Sequence, residues 1–266
     1  MVCGDTRRLR FNYLPADFQA DFSPLPVQKS IAIEGGSTDP LAETQWLQDL
    51  GDTEGYPTAI VPYANLADPD IANRLDAFLQ YPRVRGIRHI IAWHEDAKVS
   101  YVPRADYMTD SQWLKGFSLL APRGLSFDLQ IYPSQLADAA RLATRFETTR
   151  VILNHAGMPL DRDFAGLAAW REGIALLSAC PNVYIKISGL GMTDWKWTPD
   201  TISPFIHHIL DAFGPERSMF GSNFPVDKLY SSYGTLYSAY DDLTWGLSAS
   251  QREAVFHETA EKAYRL

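Results

Sequence analysis

Three apolar runs of this sequence each end in a polar side chain followed by a chain breaker. Val151 to Gly157 reads VILNHAG, Val183 to Gly189 reads VYIKISG with Lys186 in its middle, and Met219 to Pro225 reads MFGSNFP. An imidazole can shuttle a proton or ligate a metal. An amine can pair with a carboxylate or form a Schiff base, and a carboxamide can orient a carbonyl or cap a turn. A β-branched run that delivers such groups at its end is how a buried parallel strand presents chemistry at the mouth of a barrel. His155, Lys186 and Asn223 are therefore the first candidates.

Strand parity adds the others. In LSFDLQIY the residues Leu125, Phe127, Leu129 and Ile131 share one face and Ser126, Asp128 and Gln130 the other. If the apolar face meets outer helices, Asp128 and Gln130 point into the barrel. The same rule turns Lys186 and Glu34 inward and Val183, Ile185, Ile187, Ile31 and Ile33 outward. Arg88 and His89 have opposite parity, with Arg88 the inward one. Charges of opposite sign inside a barrel must pair, since a lone buried charge costs several kcal/mol.

Each candidate carries a plainer alternative. Arg88 could brace Glu34 or hold a substrate carboxylate. Lys186 could be a salt-bridge partner, a substrate contact or a Schiff-base lysine. Asn223 could cap a turn, and Asp227, in PVDK, could accept a proton or cap a helix. His94 reads as a solvated residue of the long loop 93–110, and His207, His208 and His257 as helix residues. Trp195 and Trp197 could wall a pocket or pack their own loop.

The elements that must position these groups alternate regularly after residue 30. Strands are expected at Ser30–Glu34, Thr58–Ala64, Val84–Ile91, Leu125–Ile131, Arg150–His155, Val183–Ser188 and Ser218–Asn223. Between them run amphipathic helices, started at Asp68-Pro69, Ser134 and Ser203-Pro204, with a Ser250/Glu253 capping box for the last. Repeated βα units imply parallel strands joined right-handedly. A (β/α)₈ barrel has eight strands; ahead of Ser30, NYLPADFQADF reads only as a loop and a helical turn. The expected fold class is α/β, a TIM-type barrel with its first strand missing, over a single domain of residues 1–266.

Composition narrows the function. The formal net charge is -8, which excludes the basic face of a nucleic-acid binder. No apolar run approaches the ~18–20 residues that span a bilayer, and MVCGDTRRLR lacks a signal-peptide core. Two cysteines, Cys3 and Cys180, form neither a disulfide framework nor a zinc motif. The expectation is a cytoplasmic enzyme with a small-molecule substrate, no nucleic-acid or membrane partner, and homo-oligomerisation left open.

GIRHIIAWH, LSFDLQIYP, ILNHAGMP, VYIKISGLG, MFGSNFPVDKL and the terminal TAEKAYRL together resemble the amidohydrolase-related family of TIM-barrel metal-dependent hydrolases. The lactonase-like branch, with 2-pyrone-4,6-dicarboxylate lactonase and L-fuconolactonase, is the most similar, from about Phe11 to the C-terminus. The resemblance implies the fold and a hydrolase acting on a lactone or similar ester of a small carboxylated or sugar-acid substrate. Two features depart from it. Family members open with a His-x-His pair, whereas all 6 histidines here lie at or beyond residue 89. The family's last-strand aspartate falls on Asn223, while its sixth-strand histidine falls on His155. Asparagine is a poor zinc ligand and cannot act as a base. The chain reads either as one that has lost its first strand or as a degenerate member.

The expected roles follow. His155 and Asn223 polarise a carbonyl, a carboxylate (Asp128, Asp227 or Glu34) activates water, and Arg88, Gln130, Lys186 and Glu34 line the substrate site. No metal is expected on these residues; a divalent metal such as zinc would enter only with a restored His-x-His strand. The competing class is a catalytically impaired barrel that binds a ligand or serves as a subunit, and a lysine-dependent aldolase is a third reading.

Overall fold

The computed structural model describes residues 4–23 and 25–266. After α1 (Pro15–Phe22) come β1 (Ile31–Ile33), α2 (Pro40–Glu54), β2 (Ala59–Val61), α3 (Ile71–Phe78), β3 (Gly86–Ile90), α4 (Ser111–Phe117) and β4 (Ser126–Gln130). There follow α5 (Leu136–Arg145), β5 (Val151–Leu153), α6 (Phe164–Ser178), β6 (Val183–Ile187) and a short α7 (Leu190–Thr193). The chain ends with α8 (Pro199–Phe213), β7 (Ser218–Phe220), α9 (Tyr233–Leu243), α10 (Ala249–Glu253) and α11 (Thr259–Tyr264). Every strand lies inside one of the expected β-branched runs.

All strand pairs are parallel. β3 to β7 form one sheet in sequential order, and β1 pairs with β2. Single bridges, Ile60 to Val84 and Tyr63 to Arg88, carry the curvature from β2 to β3. Among the described residues no strand precedes Ile31 and no ladder joins β7 to β1. The barrel therefore has a seam between its first and last strands. Unpaired strand edges invite association unless covered, and helices from the two ends of the chain pack here. In α1, Phe18 and Phe22 set their rings edge-on to Tyr56 ahead of β2, and both also contact Tyr233 at the start of α9. Below, α11 brings Ala263 and Tyr264 against Val61, Ile152, Tyr184 and Met219. We expect Phe18→Ala to lower stability by about 1–3 kcal/mol, the worth of a half-buried aromatic with several ring partners. Urea unfolding checks this, and an unchanged midpoint would mean that α1 does not seal the seam.

The main core lies between sheet and helices. Phe127, Leu129, Ile131, Ile185 and Ile187 pack outward against Trp113, Leu142, Trp170 and Ile206, as parity requires. β1 departs from expectation. Ile33 pairs with Val61, and Ile31 and Ile33 pack on the interior cluster around Tyr264, so they face in rather than out. The parity rule assumed that only the outer face is apolar; here the barrel floor is apolar too. Glu34 still reaches the mouth, because it lies just past the strand end.

Four helix starts also differ. Gln135, not Ser134, precedes α5, with Ser134 inside the turn Pro133–Gln135. Asp70 caps α3, with Asp68 accepting from its N–H. Thr198 caps α8, whose first-turn proline is Pro199 while Pro204 lies inside the helix. Ser248 with Gln251, not Ser250 with Glu253, forms the capping box of α10. In the last three cases a residue of the same capping type, two to five positions away, takes the role. No helix among the described residues is long and apolar enough to cross a membrane.

Candidate active site

The ends of β5 and β7 are held in conformations that L-residues seldom adopt. His155, Ala156 and Met158 have φ of 53°, 54° and 48°, and Asn223 has 54°. Such left-handed residues persist only where the surroundings impose them, and they gather at functional sites. After β5 the turn is pinned by Trp170 of α6, whose indole N–H donates to the Ala156 carbonyl at 2.8 Å. His155 is thereby turned in, buried, with Nδ1 3.1 Å from the Ser188 hydroxyl. Gly189 makes room: its φ is 64°, and a Cβ there would stand 2.7 Å from His155 Nδ1. We expect Gly189→Ala to cost about 1–2 kcal/mol for the left-handed backbone alone and to displace the imidazole. Melting curves together with the His155 ring shifts in NMR spectra check both.

Inside the barrel the charges are paired. Arg88 donates from Nε to Glu34 Oε1 and from Nη2 to the Glu34 carbonyl, both at 2.7 Å. Glu34 Oε2 accepts from the Gly36 N–H. Lys186 donates to Asp128 Oδ1 at 2.6 Å, and that same oxygen accepts from Tyr264 OH at 2.7 Å and Asn154 Nδ2 at 3.0 Å. Burial lowers the Lys186 amine and Arg88 adds to this, while Asp128 opposes it. Burial, Lys186 and Arg88 all push the His155 imidazole well below its ordinary range, so it is neutral at pH 7. Gln130, buried on the same inward face, has no side-chain hydrogen bond to the described residues.

At the end of β7, Asn223 Nδ2 donates to Asp227 Oδ1 at 2.8 Å. Asp227 sits in the single turn Val226–Leu229 and is 1% exposed. Burial raises its carboxyl to about 7, against the lowering effect of the Asn223 bond. It caps no helix, so the capping alternative for both residues falls away: Asn223 holds Asp227. No hydrogen bond among the described residues joins this pair to His155 or Lys186. Ser188, the partner of His155, lies beside the backbone at Gly221, two residues ahead of Asn223: its Cβ is 3.3 Å from where Gly221 would carry a side chain.

The remaining histidines lie elsewhere. His89 faces outward, accepting the Trp113 indole N–H at 3.1 Å, with burial lowering it to about 4. His94 Nδ1 accepts from the Asp96 N–H in its loop. His207 contacts the Leu243 carbonyl and His208 the Trp170 ring, both from α8, and His257 is on the turn before α11. Trp195 donates to the Met192 carbonyl within its own loop, whereas Trp197 lines a cavity with Tyr230 and Thr235. Tyr132, Met158 and Met192 pack together with Ala92 in a small apolar cluster.

Sequence reasoning turned Asp128, Lys186, Arg88 and Glu34 inward and left their pairing open, and it missed three partners. Ser188 shares inward parity with Lys186, a signal that was present. Asn154 stood in the quoted motif without a role. Tyr264 gave no local signal, since a tyrosine on the apolar face of a terminal helix looks like ordinary core.

Among the described residues no three His, Cys, Asp or Glu side chains are grouped so as to hold a metal ion. His155 Nδ1 is taken by Ser188, and Asn223 offers a neutral amide where a carboxylate would be needed. The donors present do not fit a zinc site, which takes three protein ligands of the His, Cys or carboxylate kind.

The chain is 41% identical over 265 residues to protein y4mH of Sinorhizobium fredii, covering 99% of this chain and 89% of that protein. It is 33% identical over 238 residues to an L-fucono-1,5-lactonase of Burkholderia multivorans, covering 84% and 77% respectively. A crystal structure of a Burkholderia multivorans amidohydrolase with bound zinc superposes with a TM-score of 0.86 at 29% identity, covering 97% of this chain and 90% of that one. Residues 8–266 match the amidohydrolase family, so nearly the whole chain is accounted for by one family, and to that family it belongs.

Proposed function

We propose that the protein hydrolyses the ester bond of a small polyhydroxylated lactone. The observation that carries the reading is the Asn223–Asp227 pair at the end of β7, where a buried carboxyl is brought to about 7. A general base works best when its pKa lies near the operating pH. The other two inward carboxylates are committed, Glu34 to Arg88 and Gly36, and Asp128 to three donors on one oxygen. Family membership and the lactonase relative supply the bond type.

In this reading Asp227 takes a proton from water as the water oxygen adds to the lactone carbonyl. With Ser188 donating to Nδ1, neutral His155 keeps its proton on Nε2 and donates to the developing oxyanion, supported by the Lys186 charge. The ring C–O bond then breaks, and the departing alkoxide receives the proton from Asp227. The products are one hydroxy acid and the carboxyl regenerated as carboxylate. Asn223 spends an N–H on Asp227 and so orients the base. Gln130 and the remaining Arg88 N–H groups contact substrate hydroxyls.

Charge balance supports an uncharged sugar lactone over a lactone bearing carboxylates. Arg88 is matched by Glu34 and Lys186 by Asp128, so neither inward cation among the described residues is left over for an anionic group. A panel of aldonolactones against pyrone carboxylates tests this, and preference for the carboxylated compounds would overturn it. Bound zinc belongs to the Burkholderia neighbour; the donor set here leads us to expect turnover insensitive to chelator and no stoichiometric zinc after dialysis. Chelator-sensitive turnover would show the ligand set to be misread.

A further inference from the structure

Tyr264 reaches the site from the opposite end of the barrel. The end of α11 is fastened beneath the strands: Arg150, just ahead of β5, donates to the Ala263 carbonyl at 2.9 Å. Arg85, just ahead of β3, donates from Nε to the Arg265 carbonyl at 3.2 Å. Lys29 pairs with Glu261 at 2.8 Å. From this anchored end the Tyr264 side chain, fully buried, rises through the apolar floor. Its hydroxyl meets Asp128 Oδ1 at 2.7 Å, and its ring lies 5.7 Å from Lys186 Nζ.

The carboxylate of Asp128 is used asymmetrically. Oδ1 accepts from Lys186, Tyr264 and Asn154, while Oδ2 is buried with no partner. Three donors converging on one oxygen fix the plane of the carboxylate and share its charge. The Lys186 ammonium receives only part of that charge. We propose that Tyr264 is a positioning residue for Lys186, acting through Asp128, so that docking of the C-terminal helix sets the electrostatics of the site. This makes the terminal TAEKAYRL run part of the active centre, where a purely structural phenol would only need some acceptor for its hydroxyl.

Tyr264→Phe keeps the ring in the floor and deletes the hydroxyl. Asp128 Oδ1 then serves two donors, and Lys186 is held more firmly as ammonium. The other groups facing Lys186 are unchanged: Asp128 on β4, Arg88 on β3 with Glu34 behind it, and His155 after β5. β7 offers no titratable side chain, since it reads SMF. Competitive trace acetylation with acetic anhydride, read by mass spectrometry of the peptide containing Lys186, reports the amine directly. We expect the midpoint of its pH profile to rise by about one unit, a tenfold change in proton affinity.

Kinetics give a second reading that rests on the lactonase proposal: because the Lys186 charge supports the oxyanion, kcat for the lactone should change several-fold with KM little changed. The acetylation arm needs no substrate, so the two proposals can fail separately. A folded Tyr264→Phe protein with the wild-type acetylation profile overturns the assignment, whatever its melting temperature. Should that variant not fold, Arg85→Ala, which loosens α11 from below, decides in its place. A displaced Lys186 profile supports the coupling, and an unmoved one overturns it.

Discussion

Replacing Asp227 by asparagine is expected to lower lactone turnover by about 10²–10⁴-fold, the usual worth of a positioned general base, while making the protein more stable at neutral pH. The two effects have one cause. The folded protein holds this carboxyl at about 7, against an ordinary 3.8, chiefly because burial penalises the charge. A carboxyl raised by folding contributes stability that is fully present below its unfolded value and is lost as pH rises through the folded one. Between pH 3.8 and 7 the wild type should therefore lose up to about 4 kcal/mol relative to Asp227→Asn. Taking the difference between the two proteins removes the opposing contributions of His89 and His155, which the variant retains. Urea midpoints at pH 4, 5.5 and 7 measure it; parallel curves would mean that Asp227 is not shifted.

The rate profile makes a separate demand. A base must be ionised, so wild-type kcat/KM should rise with pH to a plateau, with a midpoint near 7. In Asp227→Asn that limb should vanish along with most of the rate. Asn223→Asp is informative in the other direction. It sets a second carboxylate at hydrogen-bond distance from the first, and two such groups do not both ionise readily. The limb should move to higher pH. An unshifted limb in Asn223→Asp would place the titrating base elsewhere.

How much of this was legible in the sequence depended on whether the signal was local. The strands announced themselves as β-branched runs ending at breakers, and Asp128, Lys186 and Arg88 followed from period two. Ile31 and Ile33 obey the same period but face the other way, because their direction is decided by what lies across the barrel. That is Tyr264, more than 200 residues later in the chain. The site followed the same rule. Asn223 was conspicuous as a polar residue ahead of Phe224-Pro225, but its partner is seen only where the turn folds Asp227 back onto it. A carboxyl near 7 is a product of burial, and burial of a short turn residue leaves no periodic trace.

Asp128 should separate stability from activity most sharply. Asp128→Ala leaves the Lys186 ammonium, the Tyr264 hydroxyl and the Asn154 amide facing an apolar gap. Removing one partner of a buried ion pair costs about 3–5 kcal/mol, a large part of the ~5–15 kcal/mol that holds a domain together. The loss comes from what is stranded more than from the pair itself. Asp128→Leu combined with Lys186→Met removes both charges and refills the space, so most of the lost stability should return. Turnover should not return, because the cation that supports the oxyanion beside His155 is gone. A double variant that recovers both would make the pair scaffolding only. One that recovers neither would show that the barrel needs these charges to fold, and the oxyanion role of Lys186 would then have to be sought in kcat of Lys186→Arg, which keeps the charge and moves its position.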